Sequence, residues 1–369
     1  MTIRTSRRTL LGAASATLAL PGIAWTQGSL AGRTITLVVP SPAGGGTDFS
    51  ARLVAEPFGR ALGATMVVEN RPGGNDVVGL MSVLRAPADA TTLLCGYCAT
   101  MTARPAIGGI GEIQPMRDFQ AVGVITDTPQ LFVTHPSVPA TTLQEFIALA
   151  KQRPGQMNYA SAGIGSMHHM GTEYLKHRVG IDLVHVPYRG TGETIRDLIA
   201  GRIQFYMNSP PPLVPLVRDG QLRALCVSSN ERHPGLPDVP SAAEQGLPDT
   251  GLNVWFAVFA PRGVPAAQVA MLSEKLQDVL ADPALRQRAF AAGALVAPST
   301  AAALTDHRKL AADRPHGEHH RGLTRRWRHP WTDRFSAAAS TVDPMVRRRE
   351  RSCAARRLPR RDARRRVAC

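Results

Sequence analysis

Apolar and polar positions change period repeatedly along this chain. Thr34–Val39 is a short β-branched run that reads as a strand and ends in a glycine-rich turn. Over 48–62 the apolar residues Phe49, Leu53, Phe58 and Leu62 fall on or near one helical stripe. Residues 66–69 read as a second strand, 75–84 as a helix and 92–95 as a third strand. This alternation predicts α/β architecture and a parallel sheet with its ligand loops at the C-terminal strand ends. A second series follows, with strands over 131–134, 157–160, 182–186, 203–207 and 222–227. Helices over 143–151, 167–178 and 194–200 lie between them. A Pro-rich loop spans 234–240, a strand 254–260, and helices over 266–280 and 283–291 close the body.

Each half opens with strand, glycine-rich turn, helix. The first turn is Pro42-Ala43-Gly44-Gly45-Gly46-Thr47-Asp48, the second Ser161-Ala162-Gly163-Ile164-Gly165-Ser166. Glycine tolerates positive φ and lets a ligand approach the backbone. Successive N–H groups at a helix start form a concave anion site aided by the helix dipole. Either turn alone is equally well a tight structural turn; the pair favours a carboxylate held from two sides. A Cβ at Gly45 or Gly165 is expected to block that approach.

The chain has 369 residues, 44% of them hydrophobic, enough for two lobes with real cores. No apolar run reaches the roughly 18–20 residues of a membrane-spanning helix. The formal charge of +15 suggests nucleic acid or a membrane surface until it is located. Residues 311–369 carry 17 Arg against 6 acids, and 1–30 carry Arg4, Arg7 and Arg8 with no acid. The body between them is left at about +1. A nucleic-acid-binding role would therefore rest on the tail alone.

Residues 1–28 read as an export signal: the three arginines, an Ala/Leu-rich stretch over 9–20, then Pro21, Gly22 and small residues around Ala24. Ser6-Arg7-Arg8-Thr9-Leu10-Leu11 approximates a twin-arginine pattern, and cleavage is expected within 24–28. An amphipathic first helix is the alternative. The protein is expected in the periplasm.

Five cysteines, Cys95, Cys98, Cys226, Cys353 and Cys369, are too few and too scattered for a disulfide scaffold. Cys95-Gly96-Tyr97-Cys98 matches a redox CxxC, but Cys95 ends a strand instead of opening a helix, which favours a simple disulfide or inert thiols. His168, His169 and Glu173 resemble a metal or acid–base cluster without a third well-spaced ligand, so packed or capping histidines are favoured. There is no G-x-S-x-G elbow, and Gly108-Gly109-Ile110-Gly111 follows no good strand. His316-Gly317-Glu318-His319-His320 looks metal-like but lies in the tail.

Seven ordered blocks resemble the receptors of tripartite tricarboxylate transporters, the Bug family of periplasmic binding proteins. They are Thr36-Leu37-Val38-Val39-Pro40 with the first turn; Val67-Val68-Glu69-Asn70-Arg71-Pro72-Gly73; Pro136-Ser137-Val138-Pro139; Tyr159-Ala160 with the second turn and His169; His185-Val186-Pro187-Tyr188-Arg189-Gly190; Leu222-Arg223-Ala224-Leu225; and Leu236-Pro237-Asp238-Val239-Pro240. They cover roughly 33–305. The resemblance implies a two-lobed type II periplasmic binding fold, a Venus flytrap, with a parallel-type sheet in each lobe. It implies capture of a small carboxylate and, in some members, delivery to a membrane transporter component. The chain departs from the family at Ala90-Thr91, where Gly-Tyr is usual, and at Gly192-Glu193, where Pro-Ala is usual. It also has Gln204 for Asp, and His168 for a small residue.

After about Leu304 the apolar periodicity gives way to Arg, His and Pro. Moving 307–321 forward by one base can yield a string with a Trp and an apolar stripe, as the family's last helix has, so 306–369 reads as a frameshifted tail. A genuine basic tail is the alternative.

The reading is a monomeric solute-binding receptor that closes on a small carboxylate and performs no chemistry, with no cofactor, metal or nucleic acid. A thiol oxidoreductase, a hydrolase and a tail-dependent nucleic-acid binder are the alternatives. Lobe one is expected over 31–130 plus 255–305 and lobe two over 131–254. Ligand contacts are expected from Ala43, Gly44, Gly46, Thr47 and Asp48, with Asp48 chiefly a helix cap, and from Ser161, Gly163, Gly165 and Ser166. Tyr188, Arg189 and Gly190 form a second tier.

Overall fold

The glycine-rich turns sit where strands hand over to helices, and that placement organises the whole molecule. A computed structural model describes residues 29–299. The segment read as an export signal and the Arg-rich tail lie outside the described residues. In chain order the first part comprises β1 (Thr34–Val39), α1 (Gly46–Ala61), β2 (Thr65–Asn70), α2 (Val77–Leu84) and β3 (Thr92–Tyr97). A π-helical turn (Ala99–Ala103), the short helices α3 (Arg104–Ala106) and α4 (Pro115–Asp118), and the long strand β4 (Phe119–Pro129) follow. The second part comprises β5 (Leu131–Thr134), α5 (Leu143–Gln152), β6 (Asn158–Ser161), α6 (Met167–Val179), β7 (Val184–Pro187), α7 (Thr191–Ile199), β8 (Phe205–Asn208), α8 (Val214–Arg218) and β9 (Arg223–Val227). The chain then returns through β10 (Asn253–Pro261), α9 (Ala266–Ala281), α10 (Pro283–Ala291) and β11 (Val296–Ser299).

Two sheets result, a six-stranded one in the order β11-β4-β10-β3-β1-β2 and a five-stranded one in the order β7-β6-β8-β5-β9. Neither is purely parallel. In the first, β1 pairs in parallel with β2 and β3, but β10 is antiparallel to β3 and β4, and β11 is antiparallel to β4. In the second, β6 is parallel to β7 and β8, while β5 is antiparallel to β8 and β9. The parallel-type sheets expected from the sequence are thus mixed sheets. The strands that run against the grain are those on which the chain enters from the other half, β10 in the first sheet and the four-residue β5 in the second, together with the edge strand β11.

Helices cover both faces of each sheet. In the first, Phe58 of α1 and Leu272 and Leu276 of α9 pack on Leu37 and Val39, while Leu80, Val83 and Phe119 pack with Phe259 on the other face. In the second, Phe146 of α5 stacks on Phe205 with ring centroids 4.9 Å apart. Thr142 starts α5 with a capping box: its side chain accepts from the Glu145 N–H, and Glu145 reaches back.

The chain passes between the sheets at Gln130 and again at Leu252, and one side chain joins the two passages. Ser228 Oγ accepts from the Gln130 N–H at 2.8 Å and donates to the Leu252 carbonyl at 2.9 Å. The Ser228 N–H donates to the Gln130 carbonyl at 2.8 Å, and the Gln130 N–H also reaches the Leu252 carbonyl at 3.3 Å.

Ala90 has φ +63° and is fully buried. This is the position where the resemblance expects glycine, and the left-handed backbone is the reason. A Cβ there costs about 1–2 kcal/mol, partly offset by the larger entropy a glycine loses on folding. Ala90→Gly is therefore expected to raise stability by roughly 0.5–1 kcal/mol in a denaturant titration. A lower midpoint would show that the packed methyl outweighs the strain.

Candidate functional site

Between the two sheets lies a cavity of about 610 Å³. Its walls come from turns at strand ends on both sides. Three helices begin on it: Gly46 and Thr47 of α1, Met167 and His168 of α6, and Thr191 and Glu193 of α7 line the space. The first-turn N–H groups of each helix have no intrahelical acceptor, and each N-terminus carries a partial positive charge. Three converging helix ends suit the cavity to an anionic group.

Glycines allow the two sides to approach. A Cβ on Gly190 would stand 2.7 Å from Pro42 Cγ across the cavity. A Cβ on Gly46 would stand 2.6 Å from Phe256 Cζ and would also overlap Ser209 Oγ. At Gly45 it would meet Thr191 Oγ1 at 3.3 Å, and at Gly165 it would meet Ile107 Cδ1 at 2.8 Å. The glycines expected to admit ligand thus also bring together the turns of opposite lobes.

Two of the four charged residues of the wall pair with each other. Arg104 and Asp76 are 2% and 6% exposed and form an ion pair on the cavity wall. Asp76 also accepts from the Thr100 hydroxyl, and the Arg104 guanidinium lies 5.8 Å from the centre of the Tyr97 ring. Burial pushes the Asp76 carboxyl above its usual range, against the pull of Arg104, Thr100 and Tyr97. His168 is neutral: burial pushes it down to about 4, with the charge of Arg104 adding to the effect and Asn208 opposing it. Its Nδ1 accepts from the Ala162 N–H at 3.4 Å, so Nε2 carries the proton donated to Asn208 Oδ1 at 2.8 Å.

Comparison with known proteins decides the family. The sequence profile described as "Tripartite tricarboxylate transporter family receptor" matches residues 50–315. The chain belongs to this receptor family. Protein BugT of Bordetella pertussis is 32% identical over 267 residues, 71% of this chain and 81% of that protein. Among solved structures, R. palustris Rpa4515 with adipate matches with a TM-score of 0.73 and 31% identity, over 75% of this chain and 93% of that one. MatC (Rpa3494) from Rhodopseudomonas palustris with bound malate matches with a TM-score of 0.69 and 32% identity, over 74% and 96%. The protein is a solute-binding receptor of the two-lobed periplasmic type.

Of the residues singled out in the receptor's sequence, Gly46, Thr47, Gly163, Tyr188, Arg189 and Gly190 line the cavity. Ala43 and Gly44 are exposed on the outer part of the first turn. Asp48 is turned inward, accepting from the Gly44 N–H, Arg52 Nε and Asn70 Nδ2, each at 3.0 Å. Burial would raise its carboxyl, but these donors together hold it below the usual range. Ser161 is fully buried, with Oγ 2.6 Å from His185 Nε2. Ser166 caps α6 by accepting from the His169 N–H. Gly165 packs on Ile107 and Arg104. The second turn therefore meets the cavity through Gly163 and the helix start, with its serine hydroxyls turned away. Tyr188 lines the wall, while its hydroxyl donates to Asp197 at 2.7 Å.

Sequence reasoning missed Asn75, Asp76, Tyr97, Arg104, Asn208 and Phe256, all on the wall. One signal was available: Gly73-Gly74-Asn75-Asp76 is a run of turn formers, and all four have positive φ. A lone arginine in the apolar stretch 99–107 was another.

The alternative chemistries find no support in the receptor. Cys95, Cys98 and Cys226 are free and buried. Burial pushes the Cys98 thiol up to about 12 and raises those of Cys95 and Cys226 as well, away from the reactive thiolate. Ser161 and His185 stand like a nucleophile and base, yet Ser161 is out of reach of a solute. Glu173 is engaged by the Tyr159 hydroxyl at 2.5 Å and Lys176 Nζ at 2.9 Å. No cluster able to hold a metal occurs among the described residues.

Proposed function

We propose that the receptor captures a small carboxylate in the cavity between its lobes and holds it by hinge closure, as a monomer, in the periplasm. The lobes are residues 31–130 with 255–305, and 131–254. The protein hands the solute to a membrane transporter component and does no chemistry on it. The convergence of three helix N-termini on one cavity is the observation that carries this reading. Charge-assisted bonds from backbone N–H groups suit carboxylate oxygens, and the near-neutral body leaves affinity to such local donors. The relatives with adipate and malate agree with this solute class.

A thermal-shift screen of diacids, monoacids, amino acids, aromatic acids and neutral sugars tests the proposal. A solute at a hundredfold excess over its dissociation constant is expected to stabilise the protein by about 2.7 kcal/mol. Stabilisation by a sugar with every acid inactive would overturn the carboxylate assignment.

A further inference from the structure

We infer that the Asp76–Arg104 pair is a specificity element: Asp76 supplies, from within the chain, the carboxylate that Arg104 would otherwise take from a second acid group of the solute. The cavity is thereby matched to solutes with one carboxylate and discriminates against dicarboxylates. The inference rests on the reading of the cleft as a carboxylate receptor.

The first support is geometric. Arg104 and Asp76 both line the cavity, and Arg104 also lies against the Gly165 turn of the opposite lobe, its Cγ 3.3 Å from where a Cβ on Gly165 would stand. The pair is therefore part of the closed cleft and has no role as a surface ion pair. Asp76 meets the guanidinium at Nη1, and Arg104 Nε is buried with no hydrogen-bond partner among the described residues, so the Nη1 edge that Asp76 occupies is the one a solute acid would have to take.

The second support is the backbone. Asp76 has φ +77° and Asn75 φ +54°, directly after Gly73 and Gly74 at +132° and +55°. An L-residue in the left-handed region is strained, and such strain concentrates at functional positions. Aspartate is held here where glycine would be the unstrained choice. The held conformation brings its carboxylate onto Arg104 and Thr100.

The third support is charge. With Arg104 neutralised by Asp76, the other charged residues of the wall are Arg189 and Glu193, one of each sign, and His168 is neutral. The three helix ends supply roughly half a charge each. That covers one carboxylate and falls short of two.

The test is titration of the full chain with matched acids: butyrate against succinate, hexanoate against adipate, and benzoate against phthalate. The wild type is expected to bind the better monoacid at least tenfold more tightly than its diacid. Asp76→Asn keeps the shape and tolerates the left-handed backbone while exposing the charge of Arg104. It should improve diacid affinity at least tenfold and reverse the ratio. Asp76→Gly, which removes the strain as well, should do the same and guards against a folding defect in the first variant. A merely structural pair would weaken both acids together and leave the ratio unchanged, which would overturn the inference. Diacids binding the wild type as tightly as monoacids would also overturn it, with the carboxylate reading intact. Binding of the matched neutral amides with no acid binding would instead sink the carboxylate reading.

Discussion

Gly190→Val is expected to weaken solute binding about 100-fold while leaving the unliganded protein nearly as stable. Gly190 has φ −175°, extended backbone that valine adopts readily, so local strain is not the cause. The cause is the opposite lobe. A Cβ stands 2.7 Å from Pro42 Cγ and 3.0 Å from Pro42 Cβ, both part of a rigid ring. Overpacking of this kind costs typically 1–3 kcal/mol, and a β-branched side chain falls at the upper end. That cost exists only when the lobes are together. It therefore lowers the population of the binding-competent state, and affinity falls in proportion, with about 3 kcal/mol amounting to roughly 100-fold. Loss of glycine as the residue before α7 costs at most about 1 kcal/mol of stability. Calorimetric titration alongside a denaturant curve separates the two effects. Unchanged affinity would show that these turns need not meet for binding.

The second large effect is on pH. His168 is neutral when folded, pushed down to about 4 chiefly by burial, against an ordinary value of 6.5. Between pH 6.5 and 4 the unfolded chain binds the proton and the folded chain does not, so stability falls as the pH drops through that window. Above 6.5 the contribution is constant, and below about 4 the loss is complete. The full loss is at most about 3 kcal/mol, with about 2 kcal/mol gone by pH 5. Protonation of Nδ1 would also break the bond it accepts from the Ala162 N–H. His169 and His233, likewise lowered by burial, act in the same sense. His168→Gln should flatten the fall in stability between pH 7 and 5. A variant curve parallel to that of the wild type would remove His168 as its source.

What could be read from the sequence follows from how local each signal is. The strand at Thr34–Val39 and the helix beginning at Gly46 announce themselves through β-branched residues, helical spacing and glycine. The strand β4 does not: Phe119–Pro129 is buried along almost its whole length, so it shows no alternation to mark it. That strand pairs with β10, more than a hundred residues away, and the pairing makes the first sheet mixed. The helix expected to begin at Asn75 begins instead at Val77, because Asn75 and Asp76 take left-handed backbone. The glycine turns were legible as backbone sites. Arg104 and Asn208 were not, because nothing local shows that distant segments fold them onto one wall. The resemblance marked Ala90 and His168 as departures, and only the structure gives the physical reason at each: a left-handed φ, and a neutral imidazole held by Asn208.

Ser228 has a mechanical meaning. It grips both passages of the chain at once, one by accepting from the Gln130 N–H and the other by donating to the Leu252 carbonyl. Twisting one passage against the other would break one of these bonds, whereas bending both together preserves them. In the proposed closure the link therefore acts as a door hinge and not as a ball joint, with a single angle as its soft coordinate. Opening and closing then retrace one path, and the rims that part to release a solute are the same rims that met to trap it.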